Sequence, residues 1–138
     1  EIVELDKNSE GAEAMYNLIY LTYLDDSLSL AEKLIFEMPN EFSDDYYIAK
    51  SFILLSDIYL KQNNKFQAKA TLESIIENYS GQDLKIIAQK KREEIIESEI
   101  VIEKNEINSY YMDIFEDDLE YELITDTLNK INTFKSEE

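Results

Sequence analysis

Three pairs of adjacent carboxylates, Asp25-Asp26, Asp44-Asp45 and Asp117-Asp118, are the residues of this chain best suited by type to bond-breaking chemistry. Two carboxyl groups about 5–10 Å apart across a cleft can hydrolyse a glycoside, one as acid and the other as base or nucleophile. Adjacent acids at a helix boundary have a simpler use. They cap free N–H groups and oppose the positive end of the helix dipole. A carboxylate-dependent hydrolase on a helical scaffold therefore stands last among the functional readings. A calcium loop wants alternating acids around a glycine turn, and Glu116-Asp117-Asp118 has neither. The chain has no His and no Cys. That removes the Ser-His-Asp triad, the thiolate nucleophile, the usual zinc site and the disulfide. No catalytic residue, metal or cofactor is expected.

Charge narrows the field further. In 138 residues, 31 acids stand against 13 bases, a net charge of −18. Nucleic-acid grooves draw most of their affinity from cations on phosphates, so nucleic acid is excluded as a partner. Anionic membrane surfaces are unfavourable for the same reason. No apolar run approaches the roughly 20 residues that span a bilayer, so no direct membrane insertion is expected. The charge is also uneven: −10 over residues 1–60, 0 over 61–100 and −8 over 101–138.

An apolar fraction of 44% is enough for a core, so this is not a disordered acidic tail. Gly (2), Pro (1) and Val (2) are scarce beside Ile (18) and Leu (15), which favours long helices over a many-stranded sheet. Residues 10–24 place Ala14, Met15, Leu18, Ile19, Leu21 and Leu24 near helical period, with Tyr16, Tyr20 and Tyr23 on an adjoining stripe. Ser29-Leu30-Ala31-Glu32 has the capping-box pattern and opens a second helix that Pro39 is expected to stop. Asp44 opens a helix to about 61 that buries Ile48, Phe52, Leu55 and Tyr59. After a turn at Gln62-Asn63-Asn64, a helix over 65–79 buries Phe66, Ala68, Leu72, Ile75 and Ile76, with Gly81 as its C-terminal cap. A fifth helix, 83–98, turns Leu84, Ile87, Ala88 and Ile95 inward and Lys85, Lys90, Lys91 and Arg92 outward. Residues 99–103 could extend it or form a short strand. Leu119, Leu123, Leu128, Ile131 and Phe134 then recur in a short amphipathic helix, about 118–134, suited to docking back on the chain or on a partner.

The paired helices repeat. From Ala31 to Ala68 is 37 residues, and the same offset matches Met15 with Phe52, Leu18 with Leu55, Ile35 with Leu72 and Met38 with Ile75. Phe52, Leu55, Ser56, Tyr59, Ala68, Leu72 and Ile75 form the clearer copy, which resembles the tetratricopeptide repeat: an aromatic, a Leu beside a small residue and a Tyr on the first helix, then a small Ala on the second. Ser80 stands where that pattern usually has Pro. Residues 46–79 also resemble the last repeat of large bacterial cell-envelope proteins built from many such repeats.

The resemblance implies an all-α fold, an α-solenoid of two helical hairpins (about 10–39 and 44–80) closed by the helix at 83–98. Together these make a repeat domain, 1–98, followed by an acidic extension, 99–138. It implies that the first helix of each pair lines an inner face, carrying Glu13, Tyr16, Tyr20 and Tyr23, then Lys50, Ile53, Asp57 and Lys61. It implies non-enzymatic binding of a protein or peptide, with Tyr16, Tyr20, Tyr23, Lys50 and Asp57 as contacts. The basic pattern that clamps a C-terminal carboxylate in some relatives is not matched, because Ile53 and Asp57 occupy its positions. The alternative is a terminal cap of a longer solenoid with no ligand of its own. A chain that begins at Glu1 and carries only two repeats agrees with a fragment or mature form. The periplasm or cell envelope is favoured as its compartment, and the cytoplasm stays open.

Overall fold

The computed structural model describes residues 9–115 and 119–136, which form helices joined by short turns, with no strand among the described residues. The helices are α1 (Gly11–Leu24), α2 (Leu28–Glu41), α3 (Asp45–Lys61), α4 (Lys65–Asn78), α5 (Gln82–Phe115) and α6 (Leu119–Ser136). The fold class is all-α, as the composition implies. The chain divides into two compact units, Glu1–Ile95 and Ile96–Glu138.

In the first unit, α1 packs on α2 and α3, α2 on α3, and α3 on α4. Helix α3 is the shared element. Its Leu54, Leu55 and Ile58 join Ala12, Ile19, Ala31, Ile35 and Met38 in one cluster. Its Ala49 and Ile53 join Ala68, Leu72, Ile75, Leu84, Ala88 and Ile95 in another. A helix apolar on two sides must lie between two neighbours, and α3 does. Its two buried hydroxyls are satisfied locally: Ser56 donates to the Ile53 carbonyl at 2.6 Å, and Ser51 to the Tyr47 carbonyl at 2.7 Å.

The 37-residue offset recurs in the helix bounds themselves. It separates Leu24 from Lys61, Leu28 from Lys65, Glu41 from Asn78, and Asp45 from Gln82. It also relates the two non-glycine residues with positive φ among the described residues, Asp26 (59°) and Asn63 (58°). Each sits in the turn inside a hairpin. Asp and Asn are the non-glycine residues that tolerate the left-handed region best.

Several local expectations are corrected. Helix α2 starts at Leu28 behind Ser27, so Ser29 lies inside it and no capping box forms. Pro39 does not stop α2. It removes one helix hydrogen bond, but fully buried Met38 holds the last turn against the core and its carbonyl accepts the Phe42 N–H at 3.0 Å. Phe66 is 75% exposed. It stands two residues, about 200° of helix, from the inward Ala68. Ile87 is exposed one residue before buried Ala88 for a similar reason. On α1, Ala12 and Ile19 point inward while Leu18, Leu21 and Leu24 are exposed. Gly81 is no left-handed cap, since no glycine has positive φ. Its lack of a side chain serves packing: a Cβ there would come within 2.7 Å of Tyr79 and Asp83. Residues 99–103 continue α5, whose 34 residues run well past the expected end near 98.

In the second unit, Ile100, Val101, Ile102, Ile107, Tyr110 and Met112 on α5 are exposed. On α6, Leu128 is half-buried and Ile131 is exposed. The side chains of Leu119, Leu123 and Phe134, and the pair Asp117-Asp118, lie outside the described residues.

Candidate functional site

Spacings of four and three residues put Tyr16, Tyr20 and Tyr23 on one side of α1. The rings follow one another there, Tyr16 stacking on Tyr20 and Tyr20 on Tyr23, each at 6.3 Å between centroids. Helix α3 meets this row with its own first turns. The Tyr47 ring lies 6.1 Å from Tyr16, and Tyr46 stands edge-on to Tyr47 at 5.0 Å.

Lys50, one turn along α3, brings its ammonium into this cluster. Nζ is 4.6 Å from the centre of the Tyr16 ring, 5.7 Å from Tyr46 and 5.9 Å from Tyr47. Ring quadrupoles attract a cation at such distances. At the other end of the row, Lys61 Nζ lies 4.3 Å from the Tyr23 ring and 3.9 Å from an Asp26 carboxylate oxygen. The surface thus alternates tyrosine faces with two lysines.

Asp57 sits on the same side of α3 and is held by α5, where Lys91 donates to both its oxygens at 2.9 and 3.2 Å. Burial raises the Tyr16 hydroxyl pKa above its ordinary 10.0, and the nearby Tyr20, Tyr46 and Asp57 raise it further. Tyr47 is raised by desolvation first and then by Glu13. These phenols stay neutral donors through the physiological range.

Of the expected contact residues, Tyr16, Tyr20, Tyr23 and Lys50 come together and Lys61 joins them. Asp57 is present but occupied by Lys91. Ile53 is not on this surface; it is buried among Ala68, Leu72 and Ile75. Tyr46 and Tyr47 were missed, although their spacing of four and three residues from Lys50 is the signal that would have found them. Of the packing residues, Leu55, Ser56, Ala68, Leu72 and Ile75 are buried, while Phe52 and Tyr59 are half-buried at the edges of both clusters.

The two carboxylate pairs among the described residues sit at helix ends. Asp44 caps α3, accepting the Tyr47 N–H at 3.2 Å, and Asp25-Asp26 forms the exposed α1–α2 turn. No group of three or more potential ligands placed to hold a metal occurs among the described residues. The basic helix face is partly engaged: Lys91 with Asp57, and Arg92 with Glu73 at 3.4 Å. No helix among the described residues is long and apolar enough to cross a membrane.

No protein-family model, curated protein or solved structure matches this chain.

Proposed function

We propose that the chain is a non-enzymatic protein-interaction module that captures an extended peptide or protein segment across the tyrosine–lysine face of α1 and α3. The observation that carries this reading is the ring cluster around Lys50, with Lys61 over Tyr23 at the far end. Tyrosine offers contact area at small entropic cost and a hydrogen-bonding tip, and such rings concentrate binding energy where they cluster. The 37-residue offset in the helix bounds supports a tetratricopeptide type of repeat. The likeness of residues 46–79 to envelope repeat proteins supports a place in a larger bacterial cell-envelope assembly.

A peptide display selection on the intact chain tests this. Selected peptides are expected to lose binding when Tyr16, Tyr20 and Tyr23 are all changed to alanine, with the variant still folded by circular dichroism. Peptides that bind the variant unchanged would remove the face from consideration.

One observation favours the second reading, a cap on a longer repeat array: Leu18, Leu21 and Leu24 are exposed together on α1. Under it, the chain self-associates in solution and Leu21→Glu restores a monomer. A wild-type chain that sediments as a monomer at high concentration argues for the first reading.

A further inference from the structure

On a different surface from the tyrosine row, α3 and α4 leave a trench of about 560 Å³. Its α3 wall is Ile48, Phe52, Leu55 and Tyr59, and its α4 wall is Gln67, Ala70, Ser74 and Asn78. Both follow the three- and four-residue steps of a helical stripe, so each helix turns one continuous line of side chains toward the gap. From Ile48 to Tyr59 the trench runs about 16 Å, three turns of helix. One line is apolar and the other uncharged, with small Ala70 and Ser74 at its middle, a combination that lets a third helix settle into the groove.

Phe36 of α2 meets Phe52 edge-on at 5.8 Å at the trench side, yet remains 49% exposed. Charge marks the two ends. Asp45 lines the trench at the start of α3. At the other end Tyr59 donates to the Glu32 carboxylate at 3.4 Å. Among the described residues, no lysine or arginine lines the trench. A second copy of this chain would bring like charges together, with −18 on each partner.

We propose that this trench receives one amphipathic helix of a partner protein, about three turns long. Its apolar side chains lie on Phe36 and Phe52, and a Lys or Arg at each end meets Asp45 and Glu32. The site is separate from the tyrosine face and does not depend on the function assigned to it.

The test is fluorescence anisotropy on the full chain with three synthetic fluorescein-labelled peptides. The first is a helical peptide with Leu and Phe on one stripe, Lys near both ends and Ala elsewhere. The second is its scrambled sequence, and the third carries Glu in place of Lys. The first should bind, and Ala70→Trp, which fills the trench, should weaken it about tenfold or more. Ser74→Phe blocks the same trench and serves if Ala70→Trp melts abnormally. The Glu peptide should bind more weakly, by a margin that shrinks as salt screens the ends. The triple Tyr16, Tyr20, Tyr23 alanine variant should bind the first peptide unchanged. The proposal fails if the scrambled peptide binds equally, if both blocking variants bind as wild type, or if the tyrosine variant abolishes binding. It also fails if sedimentation shows a dimer that Ala70→Trp dissolves, since the occupant would then be a second copy.

Discussion

Lys91 on α5 grips both carboxylate oxygens of Asp57 on α3 across 34 residues of sequence, at 2.9 and 3.2 Å. Both side chains are about two-thirds or more shielded from solvent, with 33% and 28% exposed. This pair ties the start of α5 to the helix that carries the tyrosine contacts.

A double-mutant cycle with Asp57→Asn and Lys91→Met should give a coupling of about 0.5–1 kcal/mol, because the pair keeps partial solvent access. The coupling should shrink in about 1 M salt, where the Debye length falls to about 3 Å. Urea titrations of the four proteins measure it. Zero coupling at low salt would mean that the pair adds nothing to the α3–α5 junction.

Leu72 is fully buried beside Ala68 and Ile75, whereas Phe66 on the same helix is exposed. Leu72→Ala should cost about 2–5 kcal/mol through lost burial and the cavity left behind. Phe66→Ala should stay within about 0.5 kcal/mol, as surface changes do. Equal losses in chemical denaturation would show that the inward face of α4 has been placed wrongly.

Asn63 holds a φ of 58° in the α3–α4 turn. Asn63→Ala should destabilise by roughly 1 kcal/mol, since a Cβ without a local polar group pays the left-handed strain in full. Asn63→Gly should be neutral or stabilising. Asp26, in the matching turn, should follow the same order. Thermal melts that rank alanine above glycine would contradict the turn geometry.

The hydroxyls of Tyr16, Tyr47, Tyr59 and Tyr79 all have pKa values raised from 10.0, with desolvation the largest cause in each. The folded chain therefore keeps protons that the unfolded chain releases above about pH 10, and stability should fall as pH rises through that range. It should be unaffected by these groups below it. Absorbance at alkaline pH should show a late-titrating tyrosine fraction that vanishes in denaturant. Tyr59→Phe should make the fall in Tm with pH shallower; an unchanged slope would dissociate Tyr59 from the effect.

Residue types made much of this legible. Helices α3 and α4 follow from Asp44, the Gln62-Asn63-Asn64 turn and apolar residues at helical spacing, and both ends agree with the structure to within a residue. The signals that misled were local ones with tertiary competitors. Pro39 loses to the burial of Met38, Ser29 to the cap position of Ser27, and Gly81 reflects the nearness of Tyr79 and Asp83. In the tyrosine row, Tyr16, Tyr20 and Tyr23 were visible as a stripe. The part played by Tyr46 and Tyr47 was not, because it depends on which turn of α3 faces α1.

By itself the sequence determined an all-helical chain, its hairpin offset of 37 residues and the chemistries that its composition forbids. Helical period, capping side chains and the absence of His and Cys are local properties, so they can be read without a neighbour. Only the tertiary structure decided that α3 is buried on two sides, that Ile53 goes to the core while Lys50 goes among tyrosine rings, and that Asp57 is taken by Lys91. Period defines a face but not the helix that lands on it. That choice is made by packing between segments tens of residues apart, where side-chain volumes must fit together and charges must find partners.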